Sequence, residues 1–313
     1  MLAMMFPGQG SQSVGMLASL AATERVVRET FDQASSALGF DLWELCQQGP
    51  EERLADTSVT QPAMLAAGVA VWRAWQARGG ASPAMLAGHS LGEYSALVCA
   101  GAIDFADTAR LVRFRGEAMQ RAVPAGAGAM AAILGLDDAA IEAACSESAQ
   151  GEVVQPVNYN APGQLVIAGH AGAVARAVNA CKARGAKRAV LLPVSVPSHS
   201  ALMKPAAEEL RERLRDLAIR TPTIRVQAFD GGLHDIPDAI RDGLYRQLFN
   251  PVRWSAIVAA MRADGATRLV ECGPGKVLTG LARRAPGGRA LSLAAIDSAE
   301  TLDAALAAAD GSS

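Results

Sequence analysis

Residues 88–92 read Gly-His-Ser-Leu-Gly, a spacing that suits a serine nucleophile. An apolar run at 84–87 precedes this pentapeptide, and apolar residues with helical spacing follow it at 91–98. Glycines on both sides let the backbone turn sharply between a strand and a helix, which lifts the Ser90 hydroxyl clear of the sheet. The helix that begins at Leu91 would then direct unpaired backbone N–H groups at an oxyanion formed on Ser90. The alternative is a glycine-rich turn with an idle serine.

A serine nucleophile needs a general base, and the chain has four histidines. His89 adjoins the serine and should point away from it. His170 begins a predicted helix and His234 lies in a polar segment, so both are expected to be uninvolved. The remaining candidate is His199, in a loop at 194–200, and we predict that it is the base.

Composition indicates an ordinary globular protein. Half of the 313 residues are hydrophobic and the net charge is −2, whereas nucleic-acid binding needs a basic face. The sequence has no apolar run of membrane-spanning length and no signal-peptide pattern at its start, so we expect a cytoplasmic protein that binds neither membranes nor nucleic acid. The five cysteines are unpaired in spacing and are expected to be reduced. No His, Cys or Asp spacing suits a metal, and none is predicted.

Strand and helix signals alternate along most of the chain. A strand is predicted at 2–6, a helix from about 62 to 76, the strand before Ser90, and a helix at 104–120. Such alternation is typical of a parallel sheet covered by helices on both faces. Two further strands are predicted near the C-terminus, at 267–272 and 290–296.

The middle of the chain departs from this alternation. Its signals follow the order β-α-β-β-α-β, which is the split βαβ or ferredoxin-like unit. We therefore predict an α/β fold with a large, parallel-sheet subdomain at 1–126 and 196–309, an inserted subdomain at 127–195 and a flexible tail at 310–313. An inserted module creates a cleft at its junction with the larger domain, which is a preferred place for a substrate site.

At this level of detail the sequence resembles the bacterial malonyl-CoA:acyl carrier protein transacylases of type II fatty acid synthesis. The resemblance covers nearly the whole chain. The matching segments are Phe6-Pro-Gly-Gln-Gly-Ser-Gln12, Gly88-His-Ser-Leu-Gly-Glu93, Arg115-Gly116 with Met119-Gln120, Gly128-Ala-Met-Ala131, Asn160-Ala-Pro-Gly-Gln164, Pro197-Ser-His199, Gln247-Leu-Phe-Asn-Pro-Val-Arg-Trp254 and Glu271-Cys-Gly-Pro-Gly-Lys276. The resemblance implies an α/β-hydrolase-like large subdomain and a ferredoxin-like small one, in agreement with the element pattern.

The resemblance also implies roles for individual residues. Ser90 matches the nucleophile and His199 the base, with the backbone carbonyl of Gln247, rather than an acid, holding the imidazole. Arg115 matches the residue that binds the malonyl carboxylate, although an arginine on a predicted helix is otherwise usually a solvated surface charge. The oxyanion-hole N–H donors match Gln9 and Leu91. Further site-lining residues are expected at Gln61, Asn160 and Gln164.

Two segments bear on details of the family pattern. Residues 227–231 lack the asparagine that the family often has after this strand. The residues before His199 read Val-Pro-Ser, which suits the free-standing enzymes rather than domains of modular synthases.

The implied reaction is ping-pong transfer of malonyl from malonyl-CoA to the phosphopantetheine thiol of acyl carrier protein, with no cofactor and, we expect, by a monomer. Carrier proteins are acidic, so docking calls for a basic patch. The candidates are Lys182, Arg184, Lys187, Arg188, Arg283 and Arg284, which could equally be solvated charges.

Three other functions remain open from the sequence. A related acyltransferase of malonate decarboxylation or polyketide assembly would use the same chemistry. A plain α/β-hydrolase would show an acid between Ser90 and His199, for which Asp104, Asp137 and Asp138 are available. A non-catalytic module is the least consistent with the intact Ser90, His199 and Arg115.

Overall fold

The computed structural model describes residues 1–194 and 196–310. The strands are β1 (Leu2–Phe6), β2 (Met85–Gly88), β3 (Gly128–Leu134), β4 (Val154–Ala161), β5 (Gln164–His170), β6 (Arg188–Leu191), β7 (Arg225–Gln227), β8 (Leu233–His234), β9 (Arg268–Cys272) and β10 (Ser292–Ile296). The helices are α1 (Ala18–Thr23), α2 (Arg25–Leu38), α3 (Leu42–Gln48), α4 (Glu51–Leu54), α5 (Thr57–Ala77), α6 (Gly92–Cys99), α7 (Phe105–Ala122), α8 (Asp138–Ala149), α9 (Ala171–Ala183), α10 (Lys204–Asp216), α11 (Pro237–Gln247), α12 (Trp254–Ala263), α13 (Val277–Arg284) and α14 (Ala299–Asp310).

The larger sheet has the strand order β10-β9-β1-β2-β7-β8. Every pairing in it is parallel except that of β8, which runs antiparallel to β7. The central strand β1 is apolar along its whole length and buried over its last four residues, as a parallel strand covered on both faces should be. Helices α2, α5, α7 and α10 share the largest buried apolar cluster with this sheet.

The second sheet has the order β4-β5-β3-β6 and is antiparallel throughout. Together with α8 and α9 it gives the predicted β-α-β-β-α-β unit, so the predicted fold class is confirmed. The boundaries set at 126/127 and 195/196 stay predictions. Ser195, at the exit of the insertion, and residues 311–313 of the predicted tail lie outside the described residues.

Helix α5 begins earlier than predicted, at Thr57 instead of about 62. Asp56 caps it by accepting a hydrogen bond from the Ser58 N–H at 2.8 Å, so Pro62 lies inside the helix rather than at its first turn. The prediction was wrong because it took the proline as the helix start and overlooked the stronger capping signal six residues earlier. Almost all of α5 is buried, which makes it the central helix of the large subdomain.

The site residues gather at the carboxyl ends of the parallel strands. Phe6, the last residue of β1, lies opposite Gly88, the last residue of β2. The loop that carries Gln9 and the turn that carries Ser90 therefore leave the same edge of the sheet side by side. Open α/β sheets bind their ligands at this edge.

Close backbone approach at the start of α6 requires glycine. A Cβ built on Gly92 would lie 1.9 Å from the carbonyl oxygen of Phe6, and one built on Gly88 would lie 1.9 Å from the carbonyl carbon of Gly92. Both obstacles are backbone atoms, which cannot swing away as a side chain could. The two glycines of the pentapeptide are thus what let α6 start directly against the end of β1.

We expect Gly92→Ala to destabilise the protein by about 1–3 kcal/mol, the usual cost of overpacking a well-filled core. Gly280→Ala is the matched control, because it is also a helical glycine and its added Cβ would meet no described atom within 4 Å. That control should be neutral or stabilising by up to about 1 kcal/mol. Urea unfolding of both variants measures the difference, and equal midpoints would contradict the steric argument.

Candidate active site

Ser90 occupies the turn between β2 and α6, in the predicted strand–turn–helix order. Its φ of 52° lies in the left-handed region, which a residue with a side chain adopts at a cost. Backbone hydrogen bonds of 3.0 Å hold the turn: the His89 N–H donates to the Phe6 carbonyl, and the Gly92 N–H donates to the His89 carbonyl. This is the geometry of a nucleophile elbow.

His199 lies opposite Ser90 and is almost completely buried. Its Nε2 is 2.7 Å from the Ser90 hydroxyl oxygen, and its Nδ1 is 2.7 Å from the backbone carbonyl oxygen of Gln247. A carbonyl oxygen can only accept, so Nδ1 carries the hydrogen and Nε2 presents its lone pair to the Ser90 hydroxyl. The His199 backbone, at a φ of 65°, is fixed by donation of its N–H to the Leu248 carbonyl at 3.0 Å.

The imidazole of His199 is held in its neutral form. Burial is the main reason that its pKa falls to about 3, and the nearby positive charge of Arg115 lowers the pKa further. The carbonyl of Gln247 acts in the opposite direction. The ring is therefore unprotonated at any pH met in a cell, and it is able to accept a proton from Ser90.

The acids proposed for a hydrolase triad lie elsewhere. Asp104 caps α7 by accepting from the Asp107 N–H, Asp137 caps α8 by accepting from the Ala140 N–H, and Asp138 is in the first turn of α8. The partner of His199 Nδ1 is a neutral carbonyl instead. The structure thus brings together the residue pair of the predicted site and does not support the hydrolase alternative.

Arg115 is buried beside Ser90, contrary to the usual exposed position of a helical arginine. It is 1% exposed and reaches from α7 over the ring of Tyr94, 5.5 Å from the ring centroid. One terminal nitrogen donates to Gln61 Oε1 and the other to Gln247 Oε1, both at 2.9 Å, and the second lies 3.5 Å from Ser90 Oγ. These acceptors are neutral, so among the described residues the guanidinium has hydrogen bonds but no charged partner in direct contact.

Burial lowers the pKa of the Arg115 guanidinium, while Tyr94 and the Glu93 carboxylate raise it. An arginine nevertheless stays charged in proteins. A buried cation that is solvated by amides alone gains strongly when an anion arrives, and a planar guanidinium binds a carboxylate through two parallel hydrogen bonds. The arrangement is suited to a substrate that carries a free carboxylate close to its reacting carbonyl.

Gln247, the last residue of α11, contributes both its backbone and its side chain. Besides the carbonyl bound to His199 and the Oε1 bound to Arg115, its Nε2 donates to the Ser90 carbonyl and to Glu93 Oε2, each at 3.0 Å. From the sequence, only the role of the backbone carbonyl was expected. The fully buried Gln247 side chain therefore ties the elbow, the base and the arginine together.

Two further buried residues were missed. The Glu93 carboxylate binds His234 Nε2 through its other oxygen, at 2.5 Å, and neither residue is more than 2% exposed. His234 was expected in a polar loop and not as the base. The structure places it instead on the buried edge strand β8, because local polarity does not show which residues a short edge strand buries, while the partner of Ser90 is His199. A signal did exist, since Glu93 is an isolated acid in an apolar helix and such a group needs a buried partner.

Ser90, His199 and Arg115 open onto a cavity of about 130 Å³. Its polar wall includes Gln9 and Gln61, and its apolar wall is formed by Met119, Met130, Leu192, Val194 and Val196. The last four come from the small subdomain and the segment that leaves it, so the cavity lies at the junction of the two subdomains. Sequence reasoning predicted the junction but did not identify these apolar residues.

The oxyanion donors that the resemblance implies are the backbone N–H groups of Gln9 and Leu91. Gln9 and Leu91 both line the cavity at Ser90, and a Cβ built on the intervening Gly8 would lie 3.7 Å from the Leu91 nitrogen. Among the residues that the structure describes, nothing accepts from the backbone N–H of Gln9 or of Leu91. Both donors are available to an oxygen in the cavity.

The remaining predicted residues differ in position. Gln61 lines the cavity and its Nε2 donates to Met119 Sδ at 3.4 Å. Asn160 is not among the described residues that line the cavity, but its Oδ1 is 2.9 Å from His89 Nε2, a contact that joins β4 to the elbow. Gln164 begins β5, opposite Leu134 of β3, and is not among the described residues that line the cavity.

Within residues 1–194 and 196–310, no group of three or more His, Cys, Asp and Glu side chains is placed to hold a metal ion. In the same part of the chain, no helix combines the length and the apolar character that crossing a membrane requires.

Comparisons with known proteins agree with this geometry. Residues 4–290 match the Acyl transferase domain family. The malonyl CoA-acyl carrier protein transacylase of Escherichia coli K12 is 62% identical over 283 residues, which cover 90% of this chain and 92% of that protein. The enzyme of the same name from Salmonella typhimurium is 59% identical, with 97% and 98% of the two chains covered.

Solved structures are similarly close. An acyl carrier protein S-malonyltransferase from Vibrio cholerae superposes with a TM-score of 0.94 at 57% identity, covering 97% of this chain and 99% of that one. A malonyl-transacylase solved in complex with a type II PKS acyl-carrier protein has a TM-score of 0.96 at 55% identity, with 98% and 99% covered. The chain therefore belongs to the Acyl transferase domain family and, within it, to the malonyl CoA-acyl carrier protein transacylases.

Proposed function

We propose that this protein transfers the malonyl group of malonyl-CoA to the phosphopantetheine thiol of an acyl carrier protein, through a malonyl ester on Ser90, and so supplies fatty acid synthesis. One observation carries the proposal. A serine hydroxyl in contact with a neutral imidazole shares a small cavity with a buried arginine, which in the described part of the chain has no charged partner in direct contact. The first pair suits acyl transfer, and the arginine suits an acyl group that ends in a carboxylate.

In the first half-reaction, His199 Nε2 takes the proton of the Ser90 hydroxyl as Oγ attacks the thioester carbonyl of malonyl-CoA. The carbonyl oxygen becomes an oxyanion and accepts from the N–H groups of Gln9 and Leu91. When the tetrahedral intermediate collapses, the carbon–sulfur bond breaks and the CoA sulfur receives the proton from His199. The product is malonyl-Ser90 with a neutral imidazole.

The second half-reaction repeats these steps with the carrier protein. His199 Nε2 takes the proton of the phosphopantetheine thiol, and the sulfur attacks the Ser90 ester. The Ser90 oxygen leaves and regains the proton from His199. Since the acyl group arrives already activated as a thioester, the exchange calls for no redox or metal chemistry, and we propose that no cofactor is bound.

The backbone carbonyl of Gln247 orients the imidazole and raises its pKa, though less than a carboxylate at that position would. A carboxylate partner would stabilise the imidazolium that forms during attack, and the Gln247 carbonyl does so more weakly. The partner fixes the productive tautomer in either case. The mechanism needs the Gln247 carbonyl only to keep the hydrogen on His199 Nδ1, so that Nε2 is free to accept the serine proton.

Carrier-protein docking is proposed for the arginines of α13. Arg283 and Arg284, together with Arg289 and Pro162, line a groove between the two subdomains. The turn that precedes α13 lies against the loop that carries Gln9, because a Cβ on Gly273 would be 2.8 Å from Pro7. Among the other basic candidates, Arg184 already forms an ion pair with Glu147 at 2.5 Å, which leaves less of its charge for a partner.

The cellular setting is proposed to be the cytoplasm, with the protein working as a monomer that has no membrane or nucleic-acid partner. The five cysteines are free, and four of them are buried, which suits a reducing compartment. In support of a monomer, the exposed large apolar side chains of the described residues come from several short segments of the chain and not from one long apolar segment. They are Met1, Val14, Val190, Leu191, Leu233, Ile236 and Val277. The net charge of −2 supports the absence of a nucleic-acid partner.

The proposed intermediate is tested directly with Ser90→Ala. The parent protein should gain one malonyl group by intact mass spectrometry after brief exposure to malonyl-CoA, and the variant should gain none. Transfer to carrier protein should fall by roughly 10⁴-fold or more, as when a nucleophile is removed from other serine enzymes. Ser95→Ala is the matched control, because its buried hydroxyl has no partner among the described residues. A normal rate of acylation in Ser90→Ala would refute the assignment.

Substrate choice is tested with Arg115→Ala. Malonyl transfer should fall by roughly two to three orders of magnitude, since the malonyl carboxylate would be desolvated without a partner, at about 1.4 kcal/mol per decade. Transfer of acetyl should hold or rise, because a neutral group no longer meets a buried, unneutralised charge. The measurement is kcat/KM for malonyl-CoA and for acetyl-CoA.

The control for that measurement is Arg110→Ala on the same helix, where the arginine is exposed and forms an exposed ion pair with Asp107. It should change both rates by less than about twofold, as surface ion pairs contribute little. Equal losses for malonyl and acetyl in Arg115→Ala would mean that Arg115 supports the fold or the nucleophile and not selection.

A further inference from the structure

The mechanism makes no use of the buried carboxylate of Glu93, three residues after the nucleophile. Glu93 is completely buried in the first turn of α6. Its two oxygens have different partners: Oε1 is 2.5 Å from His234 Nε2, and Oε2 accepts from Gln247 Nε2 at 3.0 Å. A buried carboxylate is costly unless both of its oxygens are satisfied, so these partners are what allow the charge to stay there.

The surroundings of His234 leave space for its imidazole ring. It lies on the edge strand β8 and is 2% exposed. Its ring packs on Gly243 of α11, where an added Cβ would be 2.5 Å from the ring carbon Cε1. A glycine inside a helix costs stability, and here it provides the space that the ring occupies. Glu93 is the hydrogen-bond partner of His234 Nε2, while Nδ1 has none among the described residues.

One amide separates this carboxylate from the arginine of the cavity. Gln247 lies one helical turn after Gly243, with its Nε2 on Glu93 and the Ser90 carbonyl and its Oε1 on Arg115. Turning the amide over would set its oxygen against two acceptors and its nitrogen against the guanidinium donors. The network therefore permits one orientation, in which the amide stands between a buried anion and a buried cation.

Removal of the His234 ring would upset this separation. Oε1 of Glu93 would lose its donor and, being buried, could not recover one from water. The Glu93 carboxylate already raises the pKa of Arg115 across the intervening amide. A direct ion pair between them would satisfy the carboxylate, and it would consume the charge that faces the substrate.

We propose that His234 is a positioning residue for malonyl selection: by occupying one oxygen of Glu93, it keeps that carboxylate from neutralising Arg115. This rests on the proposed function, in which Arg115 binds the malonyl carboxylate. His234 touches neither the substrate nor the reacting atoms, and its influence passes through Glu93 and Gln247. The consequence is specific, because a neutral acyl group does not depend on the charge of Arg115.

The test measures kcat and KM for malonyl-CoA and acetyl-CoA in the full-length His234→Leu variant. The malonyl-to-acetyl ratio of kcat/KM should fall by about 10- to 100-fold, the range found when outer partners of a binding group are removed at metal sites. The fall should come mainly from KM for malonyl-CoA. His170→Leu is the matched control, because that histidine accepts one backbone hydrogen bond in the small subdomain, and it should leave the ratio unchanged.

The double variant His234→Leu with Glu93→Gln separates positioning from mere support of the fold. A neutral amide at 93 has no charge with which to attract Arg115, so the ratio should return to within a few-fold of the parent value. Gly243→Ala provides a second route, since it pushes the ring off Glu93 without removing it, and it should lower the ratio in the same direction. It also carries the test if His234→Leu does not fold.

Equal losses for both acyl groups in His234→Leu, with no recovery in the double variant, would overturn the proposal. An unchanged ratio in Gly243→Ala with a folded protein would do the same. Arg115→Ala is measured alongside. If that variant keeps the parent ratio, the proposed role of Arg115 itself is wrong, and this outcome is distinct from a failure confined to His234.

Discussion

The buried positive charge of Arg115 is the interaction on which the rest of the site depends. Removing a guanidinium from water has a large desolvation free-energy cost, and an acidic partner in direct contact would offset part of that cost. The structure uses two glutamine oxygens instead, from Gln61 on α5 and Gln247 on α11. Amides provide hydrogen bonds and leave the charge in place. The unneutralised guanidinium can therefore interact favourably with an anion that arrives with the substrate.

The same charge affects the base. Arg115 is the second cause, after burial, of the low pKa of His199, so the group that is suited to a carboxylate also keeps the imidazole unprotonated. This suggests why a backbone carbonyl, rather than an acid, holds Nδ1. A carboxylate at that position would lie within the field of the buried guanidinium and would oppose its charge. The Gln247 carbonyl fixes the tautomer and leaves the positive charge available.

Features set by local chemistry were predictable from the sequence. The elbow follows from glycines at 88 and 92, and the β-α-β-β-α-β unit follows from the period of its apolar residues. The start of α5 was missed because Pro62 was read as a helix start while Asp56 was overlooked. The burial of Arg115 conflicts with the usual position of a helical arginine and was implied only by resemblance to a known family. The contact between Glu93 and His234 joins residues 141 positions apart. The isolated acid in the apolar helix α6 indicates that Glu93 needs a buried partner, but the local sequence does not show that the partner is His234.

The central claim is that the charge of Arg115 is reserved for the carboxylate of the substrate, and a crystal structure of the malonyl-Ser90 enzyme tests it most directly. We expect the carboxylate of the ester to lie against Arg115, with two oxygen–nitrogen distances of about 2.7–2.9 Å, typical of charge-assisted hydrogen bonds. Gln61 and Gln247 should keep their contacts with the guanidinium. A malonyl carboxylate directed to solvent, with Arg115 still bound only by the two glutamines, would contradict the claim.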